Sequence, residues 1–399
     1  MHNIQDSTPS RQSIAVFNLG FRPFFAVAAA YALVAMLAWM GIYVFGGSLP
    51  LATLPAMTWH AHEMIYGYSM AVIAGFLLTA VRNWTGVQTL HGLPLALLVA
   101  VWALARLAPF VNLPGGQYVL AALDLGFMIF LLVAVAIPIV RARQWRQLGI
   151  VSKLLLLGFG NTLFYAGVFG WSSQGDRIGL YIGFYLIIAL ILTMSRRLIP
   201  FFTERGVDEQ VTLKNRRWLD IAALLLFVLF MLLEVFTGLK QAAAVTAILL
   251  FVLHAFRLYG WFTPAILRHP LLWSLHAGYT FIVAGFILYA AAVFFGISPF
   301  LSVHAFAVGG IGVITLGMMA RVSLGHTGRN IRRPPKAVVY ILLALIVAAV
   351  IRVFLPLVGM EHYRLWIALS QVFWILGFTG FLVVYSPVLI KPRIDGQPG

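Results

Sequence analysis

The chain has 399 residues, of which 62% are hydrophobic and only 10% are charged, and its mean hydropathy is +0.97. Soluble domains of this length cannot hide so much apolar surface, so the composition indicates an integral membrane protein. The formal net charge of +16 falls between the apolar runs, where it indicates membrane topology and implies no nucleic-acid partner.

Twelve apolar runs of transmembrane length follow one another along the chain. Each is long enough to cross roughly 30 Å of hydrocarbon as a helix, and none alternates as a transmembrane strand would. The predicted spans are residues 24–46, 57–82, 90–110, 118–140, 149–171, 178–196, 218–237, 240–260, 271–293, 300–322, 337–354 and 364–388. The sequence therefore predicts an all-α, polytopic protein with about 12 transmembrane helices in contact with the lipid bilayer.

The longest polar link suggests how the chain is organised. It covers residues 196–217 and divides two candidate halves, 1–200 and 210–399. No convincing internal repeat relates the halves. We therefore predict a single integral membrane domain, 1–399, with a cytoplasmic link between its candidate halves.

The positions of lysine and arginine predict the orientation. With the N-terminus inside, the outer links hold only five of the 27 basic residues, namely Arg106, Arg177, Lys240, Arg352 and Arg364. Because basic residues are enriched in cytoplasmic links, both termini are predicted to be cytoplasmic.

Ionisable residues near the outer ends of two spans form the first candidate site. His60, His62 and Glu63 open the second span, and His304 opens the tenth. Polar groups at membrane depth are costly and suggest function. Since neutral imidazole binds both haem iron and copper, all three histidines are candidate cofactor and metal ligands. Glu63 is a candidate proton group.

Helical spacing separates the two histidines of the second span. On a continuous helix His60 and His62 point about 200° apart, whereas His60 and Glu63 share a face. Two alternatives follow. Either one histidine binds a metal and the other only supports it, or the helix begins after His60.

A second layer of histidines is predicted at the inner ends of the spans. His254 and His276 lie at similar inner depth, and His326 lies just past the tenth span. At 1.5 Å per residue, His304 and His326 are about 33 Å apart along the helix axis, so they belong to different sites. His276 and His326 are further candidate metal ligands, whereas a hydrogen bond to a neighbouring helix suffices for His254.

Three arginines at the inner ends of spans form a candidate anion site. Arg22 opens the first span, Arg82 closes the second and Arg321 closes the tenth. Topology alone explains most such arginines. The alternative is that these three bind an anion, such as haem propionates, through bidentate guanidinium contacts.

Two further features favour structural roles. The tenth span carries Gly309, Gly310, Gly312 and Gly317. Close helix packing explains these glycines, with a flat macrocycle against the glycine face as a second option. Arg106 and Asp124 are predicted at comparable depth, and an ion pair between them would be structural.

Several motifs resemble signatures of the NnrS family. They are WHAHEM at 59–64, GFLLTAVRNWTG at 75–86 and LGMMARVSLGHTGR at 316–329, and with the opening Gly20–Phe25 the resemblance covers essentially the whole chain. It implies a multi-pass protein of the bacterial inner membrane that holds non-covalent haem b and copper. It also implies a role in nitric oxide metabolism or protection from nitrosative stress.

Two functional hypotheses follow. In the first, the chain binds nitric oxide, converts it as a haem-copper oxidoreductase, or transfers electrons to it or to a metal-nitrosyl species. The outer layer has no adjacent His-His pair and no obvious third imidazole, so sensing, buffering or metal protection is at least as well favoured as a reductase-type centre. In the second, the chain is a 12-helix secondary transporter without a redox cofactor, which predicts an internal repeat and broken helices.

Overall fold

The structure, a computed structural model, describes residues 14–48, 54–111 and 115–397. Within this part of the chain, twelve helices are long and apolar enough to cross a membrane. They are α1 Phe21–Tyr43, α2 Ala56–Thr85, α3 Gly92–Phe110, α4 Gly116–Arg141, α5 Trp145–Val168, α6 Gly175–Gly206, α7 Arg217–Phe236, α8 Lys240–Trp261, α9 Pro270–Phe295, α10 Pro299–Gly325, α11 Ala337–Val358 and α12 Met360–Ile390. The prediction of an all-α polytopic membrane protein is confirmed.

The largest departure from the predicted boundaries is at the end of α6. This helix was expected to end at residue 196, but it continues to Gly206 because Ile199, Thr203 and Gly206 form a buried face on the extension. Arg196, the last residue of the predicted span, forms an ion pair with Asp220 of α7 at 2.5 Å. The polar link is therefore shorter than expected, and the division into halves at this link stays a prediction.

Three helices form the centre of the bundle. The buried share of the most apolar stretch is 78% in α2, 67% in α6 and 72% in α10, against 50% or less in the other spans. The outer helices carry exposed apolar side chains such as Leu224 and Leu225, which suit contact with lipid. The histidines of the outer layer are thus on central helices.

Wide π-helical turns interrupt two of these central helices. They cover Glu63–Ser69 in α2 and Ala305–Gly312 in α10. In α2, the Ser69 hydroxyl donates to the carbonyl of Met64 at 2.7 Å. Such turns are rare and frequently accompany functional sites, and here each begins within three residues of a candidate histidine.

The glycines of α10 are sites of close helix packing. A Cβ atom at Gly309 would lie 2.2 Å from the Phe281 ring, and one at Gly312 would lie 2.7 Å from the Trp374 ring. The packing explanation is therefore confirmed. The option of a flat macrocycle against these glycines is wrong, because side chains of α9 and α12 fill that space.

Candidate functional site

A cavity of about 370 Å³ lies among the central helices, α1, α11 and α12. Most of its wall is apolar, with aromatic and methionine side chains, and its principal polar groups are His60, His304, Arg352 and Gln371. We call it the histidine cavity. Its volume and its few convergent polar groups are typical of small-molecule and cofactor sites.

His60 is held against one wall of the histidine cavity. Its imidazole stacks on Trp39, with ring centroids 4.5 Å apart and planes 7° apart. Its Nδ1 atom is buried and has no hydrogen-bond partner among the described residues. An unpaired buried polar atom is costly, so this imidazole is suited to bind a metal or a hydrogen-bond donor.

His304 enters the cavity from the opposite central helix, α10. Its Nδ1 lies 2.7 Å from the carbonyl of Phe300 and therefore donates. Its Nε2 then accepts from Arg352 Nη2 at 3.3 Å, which makes the ring neutral. The structure thus brings two of the predicted histidines, His60 and His304, to one cavity.

Several groups in the cavity wall were missed by the sequence analysis. Both polar atoms of the Gln371 side chain are buried and have no partner in the described part of the chain. Arg352 was counted only as a basic residue of an outer link. Met57 and Met64 also line the cavity. Their spacing of three and four residues from His60 places them near its face of α2, and this signal was available in the sequence.

His62 points away from the cavity into a buried network between α2, α3, α4 and α5. Its Nδ1 lies 3.1 Å from Glu63 Oε1, and its Nε2 lies 3.1 Å from Asn161 Oδ1. Arg106 donates to Glu63 at 2.8 Å and forms an ion pair with Asp124. We call these five side chains the buried ion network, and the predicted pairing of Arg106 with Asp124 is confirmed.

Hydrogen bonding within the buried ion network determines where its protons lie. Asn161 Nδ2 donates to Asp124 at 2.8 Å, so Asn161 Oδ1 is an acceptor for His62. Glu63 Oε2 accepts from Arg106 and from Tyr31. Both nitrogens of His62 therefore face acceptors. Either each nitrogen carries a proton, or one proton is shared between Nδ1 and the Glu63 carboxylate. Neither nitrogen is free for a metal.

The predicted shared face of His60 and Glu63 is wrong. The helix begins at Ala56, which also removes the alternative of a helix that starts after His60. Residues 60, 61, 64, 65 and 68 line the cavity. His60 and Glu63 differ by only about 60° around the axis, but the edge of the cavity passes between them, so Glu63 joins the network on the other side.

The inner-layer histidines lie between α8 and α9. The two ring nitrogens of His276 are 3.1 Å from the Leu272 carbonyl and 3.3 Å from the Trp261 carbonyl. His254 Nδ1 is 2.6 Å from the Tyr279 hydroxyl. Neither histidine lines the histidine cavity, and the role of His276 as a cofactor ligand stays a prediction.

His326 lies apart from the other histidines, among arginines at the opposite end of α10. Burial, together with the nearby charges of Arg393, Arg82 and Arg22, lowers its pKa to about 4. The guanidinium of Arg321 instead lies 4.0 Å from the centre of an aromatic ring of α6. The structure therefore groups Arg22 and Arg82 with His326, but it does not bring Arg321 into that group.

Comparison with known proteins places the chain in a family. The family model described as NnrS protein matches residues 15–393. The chain belongs to the NnrS family. The match confirms the resemblance carried by the sequence motifs, and with its membrane-compatible helices the chain is a nitric-oxide-related membrane protein. No curated protein matches it.

Proposed function

We propose that this NnrS family member binds haem b or copper in the histidine cavity and uses it in nitric oxide metabolism or protection from nitrosative stress at the bacterial inner membrane. The observation that carries the proposal is the placement of His60 and His304, from two central helices, on one apolar cavity. The unpartnered Nδ1 of His60 supports it.

The donors present fit a haem better than a copper centre with three histidines. Within the described residues, no group of three or more His, Asp or Glu side chains is arranged to hold a metal ion. A haem would need only one or two side-chain ligands, and His60, whose Nδ1 has no partner among the described residues, would supply one. A copper ion would need thioether donors beside imidazole, and Met57 and Met64 are the sulfurs nearest to His60 along α2.

The side chains of the cavity have distinct roles in this proposal. The bound metal would supply reversible binding of nitric oxide and one-electron transfer. His60 is fixed by its stack on Trp39, and Arg352 donates to His304 and keeps it neutral. Arg352 and Gln371 also present hydrogen-bond donors to a carboxylate of the cofactor or to a bound ligand. The apolar wall admits an uncharged diatomic molecule and excludes water.

Absorption spectroscopy of the purified protein tests the proposal. We expect a Soret band that shifts with dithionite and with nitric oxide, together with iron or copper in elemental analysis. His60→Ala should lose most of the band or the metal, because it removes the best-placed ligand. His362→Ala is the control, since that side chain is 61% exposed and does not line the histidine cavity, and it should keep both.

Two results would overturn the assignment. A protein without a Soret band and without iron or copper would remove the cofactor altogether. Full retention of the cofactor in both His60→Ala and His304→Ala would show that the histidine cavity is not its site.

The alternative, a secondary transporter without a redox cofactor, stays a prediction. Transporters of this size use unwound helices near the midplane to bind their substrates. In the described residues, α2 and α10 remain helical through their π-helical segments, which gives the alternative no support. A protein free of iron and copper that moves a small solute across vesicles would favour it.

A further inference from the structure

A cluster of arginines lies at the end of the bundle opposite the histidine cavity. It consists of Arg22, Arg82, Arg329 and Arg393, together with His326, and we call it the arginine cluster. We propose that the arginine cluster binds a phosphate group. This inference does not depend on the proposed cofactor function, because it rests on other residues at the other end of the helices.

Arg22 is the central member of the cluster, and only one of its three guanidinium nitrogens has hydrogen-bond partners among the described residues. Its side chain is fully buried, at 0% exposure. Its Nη1 donates to the carbonyls of Leu389 at 3.0 Å and Lys391 at 2.7 Å, which caps the end of α12. Its Nε and Nη2 are buried without a partner among the described residues. Buried, unpaired guanidinium donors are costly and call for an acceptor.

The charges around Arg22 are unbalanced. Arg329 and Arg393 lie within electrostatic range of it, and Arg329 Nη1 is also buried and unpartnered in the described part of the chain. Arg393 is paired with Asp395 at 2.5 and 2.9 Å. Asp395 is thus the one carboxylate that contacts these arginines among the described residues. Like charges repel one another, and an anion between them would remove the repulsion.

Arg82 and His326 complete the cluster. Arg82, at the end of α2, and Arg22 both lie close enough to His326 for their charges to act on its ring. The backbone carbonyl of His326 accepts from Arg393 Nη1 at 3.2 Å, which joins Arg393 to this group. The His326 ring packs on Phe21 with centroids 5.7 Å apart, which fixes its position beside Arg22.

The arrangement of donors favours phosphate over carboxylate. The guanidinium groups come from α1, α2, the link after α10 and the segment after α12, so they approach from several directions. A phosphate group presents several acceptor oxygens in a tetrahedral arrangement, whereas a carboxylate, such as a haem propionate, presents two in one plane. Phosphate reaches helix ends from two sources, phospholipid headgroups and soluble phosphate.

Binding measurements on the full-length protein test the inference. Wild-type protein in phosphatidylcholine nanodiscs, with and without phosphatidylglycerol, would be titrated with inorganic phosphate, and retained lipid would be measured by native mass spectrometry. The test variant is Arg82→Gln/Arg329→Gln, because Arg22 caps α12 and its replacement risks misfolding. The control is Arg333→Gln, an exposed arginine of the same link.

We expect the double variant to bind the phosphate ligand at least about tenfold more weakly, since it loses two charge-assisted donors. The control should bind as the wild type does. Selective retention of phosphatidylglycerol would identify a lipid headgroup, and binding of inorganic phosphate alone would identify a soluble ligand.

Two results would overturn the inference. In the first, the wild type binds neither inorganic phosphate nor phosphatidylglycerol better than the double variant does. In the second, the double variant loses its Soret band while phosphate binding is unchanged, which would assign the arginine cluster to haem propionates. The first result does not depend on whether the histidine cavity holds a metal, and His60→Ala tests that cavity separately, so failure here is distinct from failure of the proposed function.

Discussion

His60 and His62 are separated by one residue, yet they have different surroundings. His60 stacks on Trp39 in an apolar cavity, whereas His62 stacks on Phe164 at 4.3 Å and has both nitrogens engaged by the buried ion network. Since the metal-binding capacity of imidazole depends on a free nitrogen, only His60 retains it. The structural role of His62 follows from the same contacts.

At the residue scale, Asp124→Ala should destabilise the protein strongly. The change removes the ion-pair partner of Arg106 and the acceptor of Asn161. Breaking a buried pair leaves an uncompensated charge and costs about 3–5 kcal/mol. The expected result is a clear fall in the apparent melting temperature in detergent. Glu361→Ala, whose side chain is 70% exposed, should melt as the wild type does, and equal melting of both variants would contradict a stabilising network.

At the scale of single helices, α2 and α10 combine π-helical turns with close packing. In α2, the turn begins at Glu63, a member of the buried ion network, and its next residue, Met64, lines the cavity. In α10, the turn covers Gly309 and Gly312, which allow α9 and α12 to approach. Both irregular segments therefore position the walls of one cavity.

The packing of α10 makes a prediction with a matched control. A methyl group at Gly309 would overlap the Phe281 ring, whereas one at Gly126 of α4 would meet nothing within 4 Å. Gly309→Ala should therefore lower the stability by about 1–3 kcal/mol through overpacking. Gly126→Ala should leave it unchanged or slightly raised, because alanine is the better helix former. Thermal melting of both variants measures the difference, and an unchanged Gly309→Ala would refute the close contact.

At the scale of the whole molecule, the histidine cavity and the arginine cluster lie at opposite ends of the bundle. The histidine cavity lies where α10 begins, and the arginine cluster lies beyond the other end of that helix. The predicted separation of His304 and His326 into different sites agrees with this arrangement. A cofactor site and an anion site at opposite ends of one helix would act independently unless α10 itself moves.

The predicted orientation has a direct test because the chain contains no cysteine. Single cysteines at Gln174 and Glu209, both exposed in links on either side of α6, would be treated with a membrane-impermeant maleimide. With both termini cytoplasmic, Gln174→Cys should react in intact cells and Glu209→Cys only after permeabilisation. The reverse pattern would show that the positive-inside rule gave the wrong orientation.

The sequence alone determined the number of helices, their approximate ends and the family. The number and ends of the helices are local properties, because each span must satisfy its own backbone hydrogen bonds and match the bilayer thickness. The family follows from short sequence motifs. The sequence also placed His60 and His304 at one level, since depth follows from position along a helix. The boundary of α6 was missed because its last turns are amphipathic rather than uniformly apolar.

Only the tertiary structure decided which side chains meet. The rotation of α2 sets His60 toward the cavity and Glu63 toward Arg106, and that rotation depends on how neighbouring helices pack. Arg352 and Gln371 reach the cavity from helices distant in sequence, and Arg393 reaches His326 from beyond the last helix. A pattern of hydrophobicity specifies that a segment spans the membrane, but the partners of its polar groups are fixed by close contacts between helices.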